Sequence, residues 1–427
     1  MKLWSKEDNL DKKVEKFTVG SDRLDDLCLA KYDVVASIAH AKMLSKCKII
    51  TKDDGNLLVY ELEKILKEIQ KGNFTIEDSF EDVHSKIEYL LVKKLGDVGK
   101  KIHTGRSRND QVLVATQLFL KDEINIVKKL VKSLFDILIE KATRYKDKYL
   151  PGYTHLQVAM PSTFGLWFSA YAESLIDDII FLNTALKIND QNPLGSAAGY
   201  GSSIKIDRTY TTKKLGFKTL KFNVFAAQMG RGRVEKSVAV ALSSLATTLS
   251  RFSSDICFYM SNELNFVSFP ENFTTGSSIM PHKKNPDVFE LIRAKCNQIK
   301  SVNNQFDLIS TNLTSGYHRD MQLYKGVIIN SIVSIKDCLE ILSLSLEKIK
   351  VRNNILEDEK YKFINSVDMI NNLIQNENMS FRDAYLNISK SIKEGKFDSI
   401  KTNKQTLIGS IHNLCLDKIQ NKMNNFY

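Results

Sequence analysis

The chain has 427 residues, 43% hydrophobic and 26% charged, with 19 Gly and only 6 Pro; at about 150 residues per domain this is material for two or three folded units, and it excludes collagen-like, low-complexity and disordered classes. Against 50 Asp and Glu stand 61 Lys and Arg, a net charge of +11 that suits nucleic acid or an anionic small molecule. The basic residues are dispersed rather than clustered, so no nucleic-acid partner is expected and most of the surplus belongs on solvated helix faces.

The opening MKLWSKEDNLDKK is charged where a secretory signal needs an apolar stretch, and no apolar run approaches the roughly 20 residues of a membrane span. A cytoplasmic protein without a membrane partner is expected. Residues 1–105 read as an N-terminal helical region of shorter helices broken at Gly20, Asp54-Gly55, Gly72 and Gly96. Residues 106–350 read as a central domain of long helices. From Val112 to Lys148 there is neither Gly nor Pro, and Leu120, Ile124, Val127, Val131, Leu134 and Leu138 recur at spacings of four and three, the seam of a bundle helix. Similar tracts run from Ser162 to about Lys187, from Val234 to Leu264, onward from Pro286, and from about Gln322 to Lys350. Residues 351–427 are more polar and again free of Pro, which suits a small C-terminal helical domain. The fold class is therefore mainly α, a long central bundle with smaller helical domains at each end. Helices this long need partners along their whole length, so assembly into a multi-subunit bundle is expected.

Cys28, Cys47, Cys257, Cys296, Cys338 and Cys415 are spread singly, without Cys-x-x-Cys or a zinc-type spacing, and read as free thiols. Neither a P-loop nor a dinucleotide fingerprint appears. No metal and no organic cofactor is expected.

Three polar segments interrupt the helical pattern. In His103-Thr104-Gly105-Arg106-Ser107-Arg108-Asn109-Asp110, two arginines, two hydroxyls and an amide sit where the longest helix opens. Orphan N–H groups and guanidinium forks favour a carboxylate there; the plainer alternative is a helix cap with solvated arginines. The second segment, Gly152-Tyr153-Thr154-His155-Leu156-Gln157, offers a histidine for acid–base work near neutral pH, or a structural hydrogen-bonder. The third, Thr275-Gly276-Ser277-Ser278-Ile279-Met280-Pro281-His282-Lys283-Lys284-Asn285-Pro286-Asp287, runs into a helix with Glu290 in its first turn. It suits a mobile loop closing over an anion, or a surface turn.

The stretch GSSIMPHKKNPD resembles the signature of the fumarase/aspartase superfamily of lyases, and HTGRSRNDQV with GYTHLQ resembles its argininosuccinate lyase branch. Tyr317-His318-Arg319-Asp320-Met321-Gln322-Leu323-Tyr324-Lys325 is similar to a further family segment, and the likeness runs from about Asp33-Val34-Val35-Ala36-Ser37 through Phe381-Arg382-Asp383-Ala384. Two positions depart from the pattern: His282 stands where Gln is common, and Ala36 where Gly is usual.

The resemblance implies a cofactor-free carbon–nitrogen lyase that cleaves argininosuccinate to arginine and fumarate, for arginine biosynthesis. It implies Ser277 and His155 as the proton-transfer pair, with Glu290 orienting and charging His155; which of the two is base and which acid stays open. Asn109, Thr154, Lys283, Asn285, Tyr317, Gln322 and Lys325 fall on the family's substrate-contacting positions, with Arg108 a further contact and Ser21 nearest to the family's N-terminal substrate serine. It also implies a homotetramer whose sites are shared between subunits. The alternatives are another fumarate-forming lyase of the superfamily and a noncatalytic, crystallin-like homologue, against which the joint presence of Ser277, His155, Glu290, Lys283 and Asn285 argues.

Overall fold

Residues 11–398 and 402–427 are described in the structure, a computed structural model. In chain order the N-terminal part folds as α1 (Lys12–Val19), α2 (Asp22–Lys46), α3 (Lys52–Gln70), α4 (Val83–Leu95) and the single turn α5 (Asp97–Lys100), before α6 (Arg108–Arg144). An antiparallel hairpin of β1 (Tyr149–Thr154) and β2 (Gln157–Thr163) leads into α7 (Phe164–Asn189), α8 (Arg208–Lys214), α9 (Val224–Gln228) and α10 (Arg233–Tyr259). Then come α11 (Asp287–Ser310), α12 (Tyr324–Glu347), α13 (Ser366–Glu377), α14 (Phe381–Lys393) and α15 (Leu416–Phe426). The chain is mainly α-helical, as its periodicity requires.

Each of the five tracts read as long helices is one: α6, α7, α10, α11 and α12. The six seam residues of α6, from Leu120 to Leu138, are all buried. A 37-residue helix with an unbroken apolar stripe gains its stability from that burial rather than from propensity.

The N-terminal reading needs one correction. Gly20, Gly72 and Gly96 do end helices, each with positive φ. Asp54-Gly55 does not break anything: it lies in the first turn of α3, where Thr51 accepts a hydrogen bond from the Asp54 amide as N-cap. A Cβ on Gly55 would stand 2.7 Å from Ser45 Cβ, so this glycine lets α3 approach α2 closely. With no break there, α3 runs unbroken for 19 residues beside the 25-residue α2.

The segment between α6 and α7 is the other difference, since its strands have no alternating apolar signal. Pro151 pairs with Pro161 across the hairpin, and the register shifts between Pro151 and Tyr153. Prolines cannot donate to a ladder, which keeps both strands short.

The residues group into two compact units, and each long helix contributes to both. Among the described residues, one unit comprises 11–127, Phe181–Ser244 and Gln298–Ile335. Its principal core joins Ala30, Val34 and Leu44 of α2 to Leu58 and Leu62 of α3 and Val83, Ile87 and Leu91 of α4. The other comprises Lys128–Ile180, Leu245–Asn297 and Lys336–Tyr427. Trp167, Phe168 and Tyr171 of α7 pack there against Phe252 of α10, and Trp167 also packs against Tyr259. Asp255 accepts hydrogen bonds from Trp167 Nε1 at 3.0 Å and the Tyr171 hydroxyl at 2.7 Å, which satisfies the polar ends of these large rings.

Candidate active site

The second unit holds His155 at the hairpin tip. Thr154 and Gln157 are paired, so His155 and Leu156 form the two-residue turn. Thr154 and His155 are exposed. No hydrogen bond or ion pair of the His155 ring exists among the described residues; in particular Glu290, exposed in the first turn of α11, is not joined to it.

The same unit carries the loop before α11. Asn285 closes it: its amide N–H donates to the Thr275 carbonyl at 2.8 Å, and its side chain donates to the Gly276 carbonyl at 3.1 Å. Thr275 and Asn285 thereby form a β-bridge at the loop's base. Inside it, Ser277 Oγ accepts from the Met280 and Ile279 amides at 3.2 and 3.4 Å. The Lys283 ammonium is exposed and has no partner among the described residues, while its backbone amide donates to the Met280 carbonyl at 3.1 Å. His282 is likewise exposed. The loop thus offers a hydroxyl and an ammonium from a base held by backbone pairing.

The first unit gathers the other expected residues in one cleft of about 260 Å³, lined by Arg108, Asn109, Tyr317, Gln322 and Lys325 together with Asp22, Asp26, Glu81, Asp82, His84, Arg231 and Arg319. Arg108 opens α6, yet its fork is engaged: it lies 2.9 Å from Glu81 and 3.2 Å from Asp82, and donates to Ser85 Oγ. Glu81 also receives Arg319 at 3.1 Å. Lys325 is buried, ion-paired with Asp22 and, at 2.6 Å, with Asp26. Gln322 donates to the carbonyls of Thr18 and Val19. Arg231 is buried, donates to the Met321 carbonyl, and leaves Nε and Nη1 without a hydrogen bond. Ser21 lies outside this lining, at the start of α2, and donates to Asp25.

The charges decide what the cleft can hold. Burial pushes the Asp22 carboxyl up to about 6, with Asp26 adding to the rise against the pull of Lys325. Burial works against the charge on Lys325 too, but Asp26 and Asp22 outweigh it and raise its pKa. At the floor His84 donates to Asp33, and both are buried. Burial disfavours that imidazolium, yet the charge and hydrogen bond of Asp33, helped by Asp82 and Asp26, raise its pKa overall. Asp33 and Asp82 are held below the ordinary carboxylate value, the cationic His84 overcoming their burial. Cations and carboxylates therefore alternate around a small space, which suits a compact ligand carrying both signs.

The other motif arginine has a different fate. Arg106 is buried and donates to Ser37 Oγ at 2.9 Å, away from the cleft lining. Asp110 is buried as well, accepting from the amides of Ser107, Gly195 and Ala197. It fixes the start of α6 to the 195–197 segment, and burial pushes its pKa up to about 6.

A family model described as "Lyase" matches residues 5–300. The chain is 52% identical over 418 residues to the argininosuccinate lyase of Bacteroides fragilis, covering 98% of this chain and 93% of the relative. It is 41% identical to the argininosuccinate lyase of Thermotoga neapolitana, with 90% and 96% covered. The chain belongs to the argininosuccinate lyase family. Solved structures with the same fold include a fumarate lyase/delta crystallin from Brucella melitensis (TM-score 0.76, 18% identity, 97% of this chain and 93% of that chain covered). A class II fumarase from Schistosoma mansoni aligns with TM-score 0.74 and 18% identity, covering 90% and 89%.

The cleft of this family member contains residues to which the sequence reading gave no role: Asp22, Asp26, Glu81, Asp82, His84, Arg231 and Arg319. Arg319 lies within a motif already singled out, and Glu81-Asp82-Val83-His84 is a dense run of ionisable groups at a helix start. That run was the available signal. Nothing comparable marks Arg231. Ala36, where the family pattern has Gly, is buried against Val114 and Leu118 of α6, so its methyl is accommodated as core.

Proposed function

We propose that this lyase eliminates fumarate from N-(L-arginino)succinate, releasing L-arginine, as a cytoplasmic homotetramer with sites shared between subunits. The observation that carries the reading is the 52% identity to an argininosuccinate lyase over 98% of the chain. In the reaction a base takes a proton from the carbon beside a succinyl carboxylate, the carbon–nitrogen bond breaks, and the departing guanidino nitrogen gains a proton. The intermediate is a dianionic carbanion, so the enzyme must supply positive charge and N–H donors where charge grows.

Lys283 on the exposed loop is the ammonium for that carboxylate, and the amides around Ser277 are the donors. Ser277 as base is supported by the Met280 and Ile279 amides that point at its oxygen, because hydrogen bonds to the charged form lower a pKa. His155 then protonates the leaving nitrogen, with Glu290 of the assembled site holding its charge. Asn285 contributes by shaping the loop as well as by contacting substrate. In the cleft, Arg108, Asn109, Tyr317, Gln322 and Lys325 receive the arginine portion, whose ammonium, carboxylate and guanidinium match alternating charges. Thr154 contacts the succinyl portion from the hairpin.

The test is a coupled assay for arginine and fumarate with argininosuccinate, malate and adenylosuccinate offered in parallel. Fumarate from argininosuccinate alone is expected; fumarate from either of the others and not from argininosuccinate would overturn the assignment. Ser277→Ala and His155→Asn should each lower turnover at least about a hundredfold with the fold retained. When the two inactive proteins are dissociated together and reassembled, random mixing of shared sites leaves roughly one site in four with both residues intact. Activity should then return. A silent mixture, with subunit exchange verified by mass, would refute the shared site.

A further inference from the structure

The hairpin tip adopts a costly conformation that no packing contact of Leu156 offsets among the described residues. His155 and Leu156 have φ of +54° and +60°, the pattern of a type I′ turn, whose twist suits a hairpin and whose favoured sequence is Asn-Gly. Histidine is among the residues found more often in the left-handed region, but leucine is not. A buried leucine would be compensated by packing. Leu156 is instead 75% exposed, and Val158 and Met160, the alternate residues that share one face of β2, are 41% and 38% exposed.

A strained residue persists when the surrounding structure over-determines it, and within this chain the surroundings do not. Leu156 to Met160 spans about 13 Å of strand, too long an apolar stripe to be covered by a compact, multiply charged substrate. A second copy of the chain fits both facts. The His155 ring has no hydrogen-bond partner among the described residues, and in the shared site proposed above it is a second copy that would supply one at the hairpin tip.

We propose that Leu156 is a positioning residue for His155: with Val158 and Met160 it seats the hairpin against a second copy of this chain, which fixes the imidazole in the assembled protein. This rests on the shared-site reading above. In the free chain the turn is strained and the histidine unsupported; on assembly the apolar face is covered and the ring is held at one angle. A small misplacement of a reacting group costs on the order of a hundredfold in rate, so the seat acts on turnover rather than on substrate binding.

The experiment compares Leu156→Asn with Leu156→Met, with His155→Asn as control, reading kcat and KM for argininosuccinate, mass in solution and circular dichroism. Asparagine accepts the left-handed turn but removes the apolar contact; methionine restores it. The Leu156→Asn protein is expected to be folded, with kcat lowered about tenfold or more, KM within about twofold, and Leu156→Met close to the original. Loss of assembly in Leu156→Asn, with assembly retained in Leu156→Met, supports the same seat. If Leu156→Asn turns over normally while His155→Asn is inactive, the positioning role is overturned and the reading of His155 stands. Equal loss in both Leu156 variants also overturns it, because the contact would then not be apolar seating. If His155→Asn is active, the underlying site reading fails.

Discussion

Replacing Lys325 by Met removes a buried cation in direct contact with two acidic side chains of the cleft, Asp22 and Asp26. Asp26 is 1% exposed and lies 2.6 Å from Lys325 Nζ, and Asp22 is also ion-paired with it. At an effective dielectric of about 20, one such contact is worth about 6 kcal/mol of gross attraction, most of which offsets the removal of the charges from water. Taking away only the cation leaves the desolvated carboxylates facing each other, and breaking a buried pair in this way costs about 3–5 kcal/mol. Asp22, already up to about 6 through burial, rises further once Lys325 is gone. A carboxyl with a raised folded pKa contributes stability that is present below its unfolded value and lost as pH rises through the folded one. The Lys325→Met deficit should therefore be greatest near pH 8 and shrink toward pH 5.5, and adding Asp26→Asn should recover part of it at pH 8. Urea unfolding followed by circular dichroism, at fixed protein concentration and both pH values, measures this. A loss below about 1 kcal/mol at pH 8, the scale of an exposed pair, with no dependence on pH, would refute the picture of a buried, mutually dependent cluster.

Asn285→Ala should leave the Thr275 backbone bridge in place but release the side-chain clamp on Gly276; trypsin cleavage at Lys283 and Lys284 should accelerate and turnover should fall at least about tenfold, and unchanged values for both would remove the clamp from the mechanism. His84 has a raised folded pKa because Asp33 outweighs its burial, so its contribution is fully present below about pH 6.5 and is lost as pH rises through the folded value. Thermal midpoints recorded across pH 6 to 9 should decline more steeply for the original protein than for His84→Gln, and parallel curves would contradict that. Dialysis against a chelator should leave turnover unchanged, since no group of three or more metal-ligating side chains occurs among the described residues; loss that one added metal reverses would overturn the expectation.

The long helices were legible because an apolar seam at spacings of three and four is a local property: Leu120 to Leu138 state one face of α6 whatever it packs against. The polar interruptions at His155 and Ser277 were legible for the complementary reason, since a bundle gains nothing from such groups. What sequence could not decide is which neighbour each polar group takes. Arg106 and Arg108 are two residues apart in one motif, yet one is buried on Ser37 of α2 and the other is held by Glu81 and Asp82 at the start of α4. Those partners lie 69 and 27 residues away along the chain, and only the packing of α2 and α4 brings them there. The same holds for Lys325, whose charge is retained in the interior because Asp22 and Asp26, some 300 residues earlier, meet it. Periodicity fixes an element and the face it buries; the partner of a buried charge, and so its protonation and its use, is fixed by contacts between segments distant in sequence.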